Sequence, residues 1–247
     1  MKSIWKALFL AVLLTVPMTT ARADRAPAAT DNVTDHAKDA VERGNQAFAL
    51  GHYELAIFEY QGALSVSYGV QAAQAQFNIG VCQHRLGRLT EAIASYRAAI
   101  KTGNGNYPKA SFALGLACRE SGQWAEAKAA FHQAALISGK QQVEALFELG
   151  LLHQREGAYQ AAAECFRKAI NKGDKLFPAA HNNLGIAFFM AGQMEEALQE
   201  FDLAHQQSKG RMTEAEHNLR LCRAIIEHPT QQLIARLKPT ELIQSFE

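Results

Sequence analysis

The chain has 247 residues, with 25 Lys and Arg against 24 Asp and Glu, and is 48% hydrophobic and 20% charged. That ordinary composition excludes collagen-like, mucin-like and wholly disordered chains, and the near-neutral balance argues against nucleic acid as a partner unless a local basic stripe exists. Six prolines in a chain rich in Ala, Gln, Leu and Glu point toward helix.

Residues 1–23 read as a secretory signal peptide. Lys2 and Lys6 supply the positive start, Ala7 to Val16 is a ten-residue apolar run, Pro17 breaks it, and Ala21-Arg22-Ala23 provides small residues for cleavage. The run is short of the roughly 20 residues that span a bilayer, so cleavage is expected, with an uncleaved anchor as the competing reading. No cysteine occurs in this segment, which argues against a lipid-anchored form. Cleavage after Ala23 removes three basic residues and turns a net charge of +1 into −2. Residues 24–36 have no sustained apolar period and are expected to form a flexible leader.

From residue 37 a repeat takes over. Gly44, Gly80, Gly115, Gly150 and Gly185 recur every 35 or 36 residues, and each is followed seven residues later by Gly51, Gly87, Gly122, Gly157 and Gly192. Ala56, Ala92, Ala127, Ala162 and Ala197 come next. Then come the aromatics Tyr60, Tyr96, Phe131, Phe166 and Phe201, and then Ala63, Ala99, Ala134, Ala169 and Ala204. Spacings of four and three put the last three sets on one face of a helix. The second glycine of each copy ends the preceding helix in the left-handed conformation it adopts cheaply. The first glycine and first alanine lack bulk and let two antiparallel helices close together, and the aromatic is expected to fill the space between hairpin and neighbours. Since one hairpin cannot bury its own apolar face, a stack of five is expected.

These residues resemble the tetratricopeptide repeat family. The resemblance implies an all-α fold, a right-handed superhelical solenoid of antiparallel helix hairpins, with repeats at 37–70, 73–106, 108–141, 143–176 and 178–211. The bulky residue after the turn is present as Tyr53, Leu89, Trp124, Tyr159 and Met194. The proline common near the end of the family's repeat is absent, with Tyr68, Asn104, Gly139, Asp174 and Lys209 in its place, while Pro108 and Pro178 open repeats three and five, where a helix start tolerates them.

Residues 213–228 read as a capping helix, so that 37–228 form one solenoid. Thr213 is the expected N-cap with Glu216 three residues on, and Leu219, Cys222 and Ile226 form the apolar stripe. Pro229 stops the helix. The tail 229–247, with Leu233, Ile234, Leu237, Leu242, Ile243 and Phe246, either folds back over the solenoid end or serves as a docking peptide.

No catalytic constellation emerges: Walker A, GxSxG and HExxH patterns are absent, and no GxGxxG follows a strand. The nine histidines do not converge as metal ligands require. No catalytic residue, metal or cofactor is therefore expected. Cys82, Cys118, Cys165 and Cys222 either act as small apolar fillers or form disulfides, for which Cys82 and Cys118 on neighbouring first helices are the conceivable pair.

The family resemblance implies a concave groove lined by the first helix of each repeat. The groove-facing positions carry Asn45, Phe77, Asn78, Arg85, Lys109, Phe112, Arg119, Phe147, Arg155, Asn182, Asn183 and Phe189, and Asn218 holds the matching place in the cap. Asparagine amides suit the backbone of an extended peptide and the aromatics suit its side chains. The alternatives are packing between first helices for Phe77, Phe112 and Phe147, and a solvated face for the asparagines. A two-carboxylate clamp is only partly matched, because Val41 and Ala113 stand where two of its basic residues would be.

The expected function is a non-enzymatic scaffold that holds a peptide or protein partner in an extracytoplasmic, bacterial periplasmic assembly, with secretion as the alternative location. A solenoid regulatory subunit of a separate enzyme or of an export or secretion complex is the alternative role. Neither nucleic acid nor stable membrane insertion after signal cleavage is expected.

Overall fold

A computed structural model describes residues 29–137, 139–173, 177–227 and 239–240. The expected signal peptide, residues 24–28 of the expected leader and residue 228 of the expected cap lie outside the described residues, as does the tail apart from Pro239 and Thr240.

Among the described residues the chain forms eleven helices and no strand: α1 (Ala29–Ala49), α2 (Tyr53–Leu64), α3 (Gly69–Arg85), α4 (Leu89–Thr102), α5 (Pro108–Glu120), α6 (Trp124–Ala135), α7 (Lys140–Arg155), α8 (Tyr159–Lys172), α9 (Pro178–Met190), α10 (Met194–Gln207) and α11 (Thr213–Glu227). Each odd-numbered helix up to α9 pairs with the next as a hairpin, and hairpins stack in chain order. Helix α3 meets α5, α5 meets α7, α7 meets α9 and α9 meets α11, whereas no pair of second helices approaches comparably. The first helices therefore lie on the inside of the curve.

The hairpin is closed by glycine against an aromatic ring. A Cβ placed on Gly44, Gly80, Gly115, Gly150 or Gly185 would fall 2.5–2.7 Å from Tyr60, Tyr96, Phe131, Phe166 or Phe201 respectively. The ring thus lies directly over the glycine of its own hairpin, rather than mainly between hairpins as the sequence suggested. The flanking alanines are fully buried, and the short side chains keep the two helix axes close. At the turn, Gly51, Gly87, Gly122, Gly157 and Gly192 have φ between +74° and +81°. Gly87 N–H donates to the His84 carbonyl and Arg88 N–H to that of Gln83, both at 2.9 Å. This closure satisfies the carbonyls that a helix end leaves orphaned.

Three expectations change. Residues 29–36 belong to α1 rather than to a flexible leader: no glycine or proline interrupts residues 28–43, and extending a nucleated helix is easier than starting one. Helices α3 and α7 begin at Gly69 and Lys140, before the expected repeat starts at 73 and 143. In α11, Thr213 is the first helical residue rather than the residue before it, and its hydroxyl donates to the Glu214 carboxylate at 3.3 Å. The inward stripe is Ala215, Leu219, Cys222 and Ile225, while Ile226 stays half-exposed.

Candidate functional site: the inner face of the first helices

The C-terminal end of the inner face carries a connected set of side-chain amides. Asn182 and Asn183 on α9 and Asn218 on α11 are all fully buried, so their amides need partners. Asn218 Nδ2 donates to Asn182 Oδ1 at 2.9 Å. Asn182 Nδ2 donates to the hydroxyl of Thr240 at 2.9 Å. Asn183 grips the backbone of Thr240 from both sides: its Nδ2 donates to the Thr240 carbonyl at 2.5 Å, and the Thr240 N–H donates to its Oδ1 at 2.8 Å. Gln154 on α7 donates to the backbone carbonyl of Asn183 at 2.8 Å, tying the two helices together at this point. An asparagine amide presents the same donor and acceptor as a peptide group, so this arrangement reads one residue of extended backbone, as a neighbouring strand would.

Beside the clamp opens a cavity of about 600 Å³ bordered by Pro239. Trp124, Leu151, Ile186 and Met190 give it apolar walls, and Arg119 and Arg155 bring charge. Arg155 lies with its guanidinium carbon 3.3 Å from the centre of the Trp124 ring, a cation–π contact. Arg119 donates to Glu148 at 2.8 Å. Glu148 is fully buried and occupies the same repeat position as Asn78, Asn183 and Asn218, so the pair spends the charge of Arg119 inside the wall.

The other expected groove residues divide. Asn45 is exposed and accepts the Tyr60 hydroxyl at 2.7 Å. Asn78, half-buried, also lies beside Tyr60, whose own burial pushes its pKa up to about 12. Arg85 and Lys109 are exposed at opposite ends of their helices. Phe77 is half-buried between Tyr96 and Tyr107, with ring centres 5.9 and 5.5 Å away. Phe112, Phe147 and Phe189 leave the groove list. Phe147 is wholly enclosed, 5.4 Å from both Phe166 and Phe177. Phe112 packs on Phe131 at 5.6 Å with 9% exposure, and Phe189 retains 2%. Phe112 and Phe147 pack on the aromatic ring of their own hairpin, and Phe147 also reaches Phe177 before the next one, so these rings fill core volume rather than line the groove.

Gln154 stands at a groove-facing position of the repeat, but Trp124 and Thr240 carry no such signal: Trp124 occupies the bulky position after the turn, and Thr240 lies 57 residues from Asn183 with no local pattern to connect them. The four cysteines are free thiols. Burial pushes Cys82 up to about 12 and Cys118 and Cys222 up to about 11. Among the described residues no group of three or more His, Cys, Asp or Glu is placed to hold a metal, and no helix is long and apolar enough to cross a membrane.

The tetratricopeptide repeat family model matches residues 41–111, 112–175 and 172–211. No curated protein matches the chain. Among solved structures, YrrB, described as a tetratricopeptide repeat protein with an unusual peptide-binding site, is 21% identical, with 79% of this chain and all of that one covered at a TM-score of 0.61. PilF of Pseudomonas aeruginosa is 15% identical, with 83% and 97% covered and a TM-score of 0.61. A tetratricopeptide repeat protein of Parabacteroides merdae is 20% identical, with 81% and 77% covered and a TM-score of 0.63. At these identities the likeness is one of fold. With five glycine-closed hairpins in its fold and the family model matching most of its length, the protein belongs to the tetratricopeptide repeat family.

Proposed function

We propose that this protein is a non-enzymatic scaffold whose inner face holds an extended segment of a protein partner. The observation that carries this is the two-sided hydrogen bonding of Asn183 to the backbone of Thr240. A side chain in that position recognises main chain rather than a particular side chain, and the neighbouring cavity supplies side-chain selectivity. YrrB, of the same fold, is described as having a peptide-binding site, which supports the reading by analogy. The partner is expected in an extracytoplasmic setting, the periplasm first and the medium second, because residues 1–23 carry the order of charge, apolar run and small-residue site that export uses. N-terminal sequencing of the exported protein is expected to start at Asp24, and a mature chain that retains Met1 would refute the cleavage.

The test of the groove is the double variant Asn78→Ala/Asn183→Ala in the full chain. A partner captured by the wild-type protein from an envelope extract is expected to be retained at least about tenfold less by a folded double variant, since each charge-free hydrogen bond contributes on the order of 1 kcal/mol. Unchanged retention would overturn the groove. If the captured partner is a catalytic subunit, the protein acts as its regulatory chain rather than as a structural scaffold.

A further inference from the structure

The amide clamp is occupied by the chain's own C-terminal segment, and the fit is incomplete. Helix α11 ends at Glu227 and the chain is next described at Pro239, only eleven residues intervening. Because Thr240 belongs to the same chain, its seat on the clamp is an intramolecular contact, and an outside segment competes with an effective rather than a bulk concentration. Thr240 satisfies the clamp with its N–H, its carbonyl and its hydroxyl. Pro239, the residue before it, borders the adjacent cavity, yet about 600 Å³ of that cavity stays open. Proline is also too small and rigid to reach across walls built from Trp124, Leu151, Ile186 and Met190. Of the tail's described residues, Thr240 therefore makes the backbone contacts of a ligand, while Pro239 leaves the adjacent cavity unfilled.

We propose that Pro239–Thr240 is a weak resident of the groove that an outside segment displaces, and that the displacing segment is an extended peptide with Thr or Ser on the Asn182–Asn183 clamp and a large apolar side chain immediately before it, filling the cavity under Arg155. This rests on the groove reading above and deepens it. The order of the two residues follows from the polarity of the tail: Thr240 lies on the clamp and the residue N-terminal to it faces the cavity. The competition is a linkage effect, in which the tail lowers the apparent affinity for any outside segment by the factor with which it fills the site.

Two measurements test it. The first is amide hydrogen exchange at Thr240 in the full chain. Its N–H is expected to exchange slowly in the wild type and in Asn78→Ala, and at the rate of an open peptide in Asn183→Ala. Asn183→Leu, which keeps the side-chain volume but removes both the donor and the acceptor that Thr240 uses, stands in if Asn183→Ala fails to fold. Fast exchange in the wild type, or protection that survives in the Asn183 variants, overturns the seat. The second uses two fluorescein-labelled peptides with the sequence of residues 236–244, one as it stands and one carrying Pro239→Phe, against the full wild-type chain and the full chain carrying Thr240→Pro. That last change removes the N–H and the hydroxyl from the resident tail and leaves the clamp intact. The Phe peptide is expected to bind the Thr240→Pro chain about tenfold more tightly than the wild-type chain, and about tenfold more tightly than the unmodified peptide. Equal binding to the two chains overturns the competition, and equal binding of the two peptides overturns the assignment of the cavity. If an extract partner binds wild-type and Thr240→Pro chains alike yet is lost on Asn78→Ala/Asn183→Ala, the groove reading stands and this inference fails. If the partner ignores the double variant while Thr240 stays protected in the wild type, the groove reading fails and the seat stands.

Discussion

Glycines in this chain do two different jobs, and single substitutions separate them. At Gly115 an added Cβ would sit 2.5 Å from Phe131, and the ring is fully buried with no room to retreat. Gly115→Ala is expected to lower stability by about 1–3 kcal/mol through overpacking, measured as a fall in the urea midpoint with an unchanged slope. Gly62, inside α2, faces nothing within 4 Å. Gly62→Ala is expected to raise stability by about 0.5–1 kcal/mol, because alanine loses less conformational entropy in a helix. A destabilised Gly62→Ala would mean that α2 packs differently at its end. The thiols give a second residue-scale test. Burial raises the pKa of all four thiols, but Cys82, Cys118 and Cys222 are buried while Cys165 is only partly so. Since the thiolate is the reacting species and must also be reached, iodoacetamide at pH 8 is expected to label Cys165 first in the folded protein, as peptide mass mapping would read. Early labelling of Cys82 would count against the packing of α3 on α2.

At the scale of the element, the unit is the hairpin, and its tolerance is set by the alanines that hold the helices together. Ala127 on α6 has no exposed surface. Ala127→Leu is expected to cost about 1–3 kcal/mol, and an unchanged melting temperature would show that the α5–α6 contact lies elsewhere. Between hairpins, exposed ion pairs run from one repeat to the next: Arg88 with Glu54, Arg97 with Glu126 at 2.7 Å, and Lys128 with Glu156 at 2.6 Å. Pairs of this kind contribute about 0–1 kcal/mol each. Raising salt to 1 M is therefore expected to shift the melting temperature little, whereas the overpacking variants are expected to shift it at any ionic strength.

For the whole molecule, the inside of the curve is polarised along its length. The N-terminal part offers Asn45, Asn78, Arg85 and Lys109, two of them already engaged with Tyr60. The C-terminal part offers the Asn182–Asn183 clamp, occupied by Thr240, and beside it the open cavity bordered by Pro239. Far-ultraviolet circular dichroism is expected to report helix with no sheet component, and a partner's footprint in hydrogen exchange is expected on α7, α9 and α11 rather than on α1 and α3. A footprint confined to α1–α3 would move the binding site to the other end of the groove.

What the sequence determined by itself is the repeat and its hairpin. The recurrence of Gly44, Gly51, Ala56, Tyr60 and Ala63 through five copies dictates two helices, a left-handed turn and a tight crossing, because each residue type acts on its own segment or on its hairpin partner. The family resemblance that this recurrence carries implied the inner face and, on it, Asn78, Asn182 and Asn183. It did not decide which bulky inner-face residues are wall and which are surface: Phe112, Phe147 and Phe189 occupy groove-facing registers but are buried, Phe112 against Phe131 of its own hairpin and Phe147 between Phe166 of its own hairpin and Phe177 before the next, and that depends on how far the repeats are rotated and how close they stack. Nor did it place residues 29–36 in α1, since a polar helical extension has no apolar period to betray it. Above all, the tertiary structure alone brings Thr240 to Asn183. A hydrogen bond between a side-chain amide and a distant backbone leaves no periodic trace, because any residue but proline carries the N–H and carbonyl that the clamp reads.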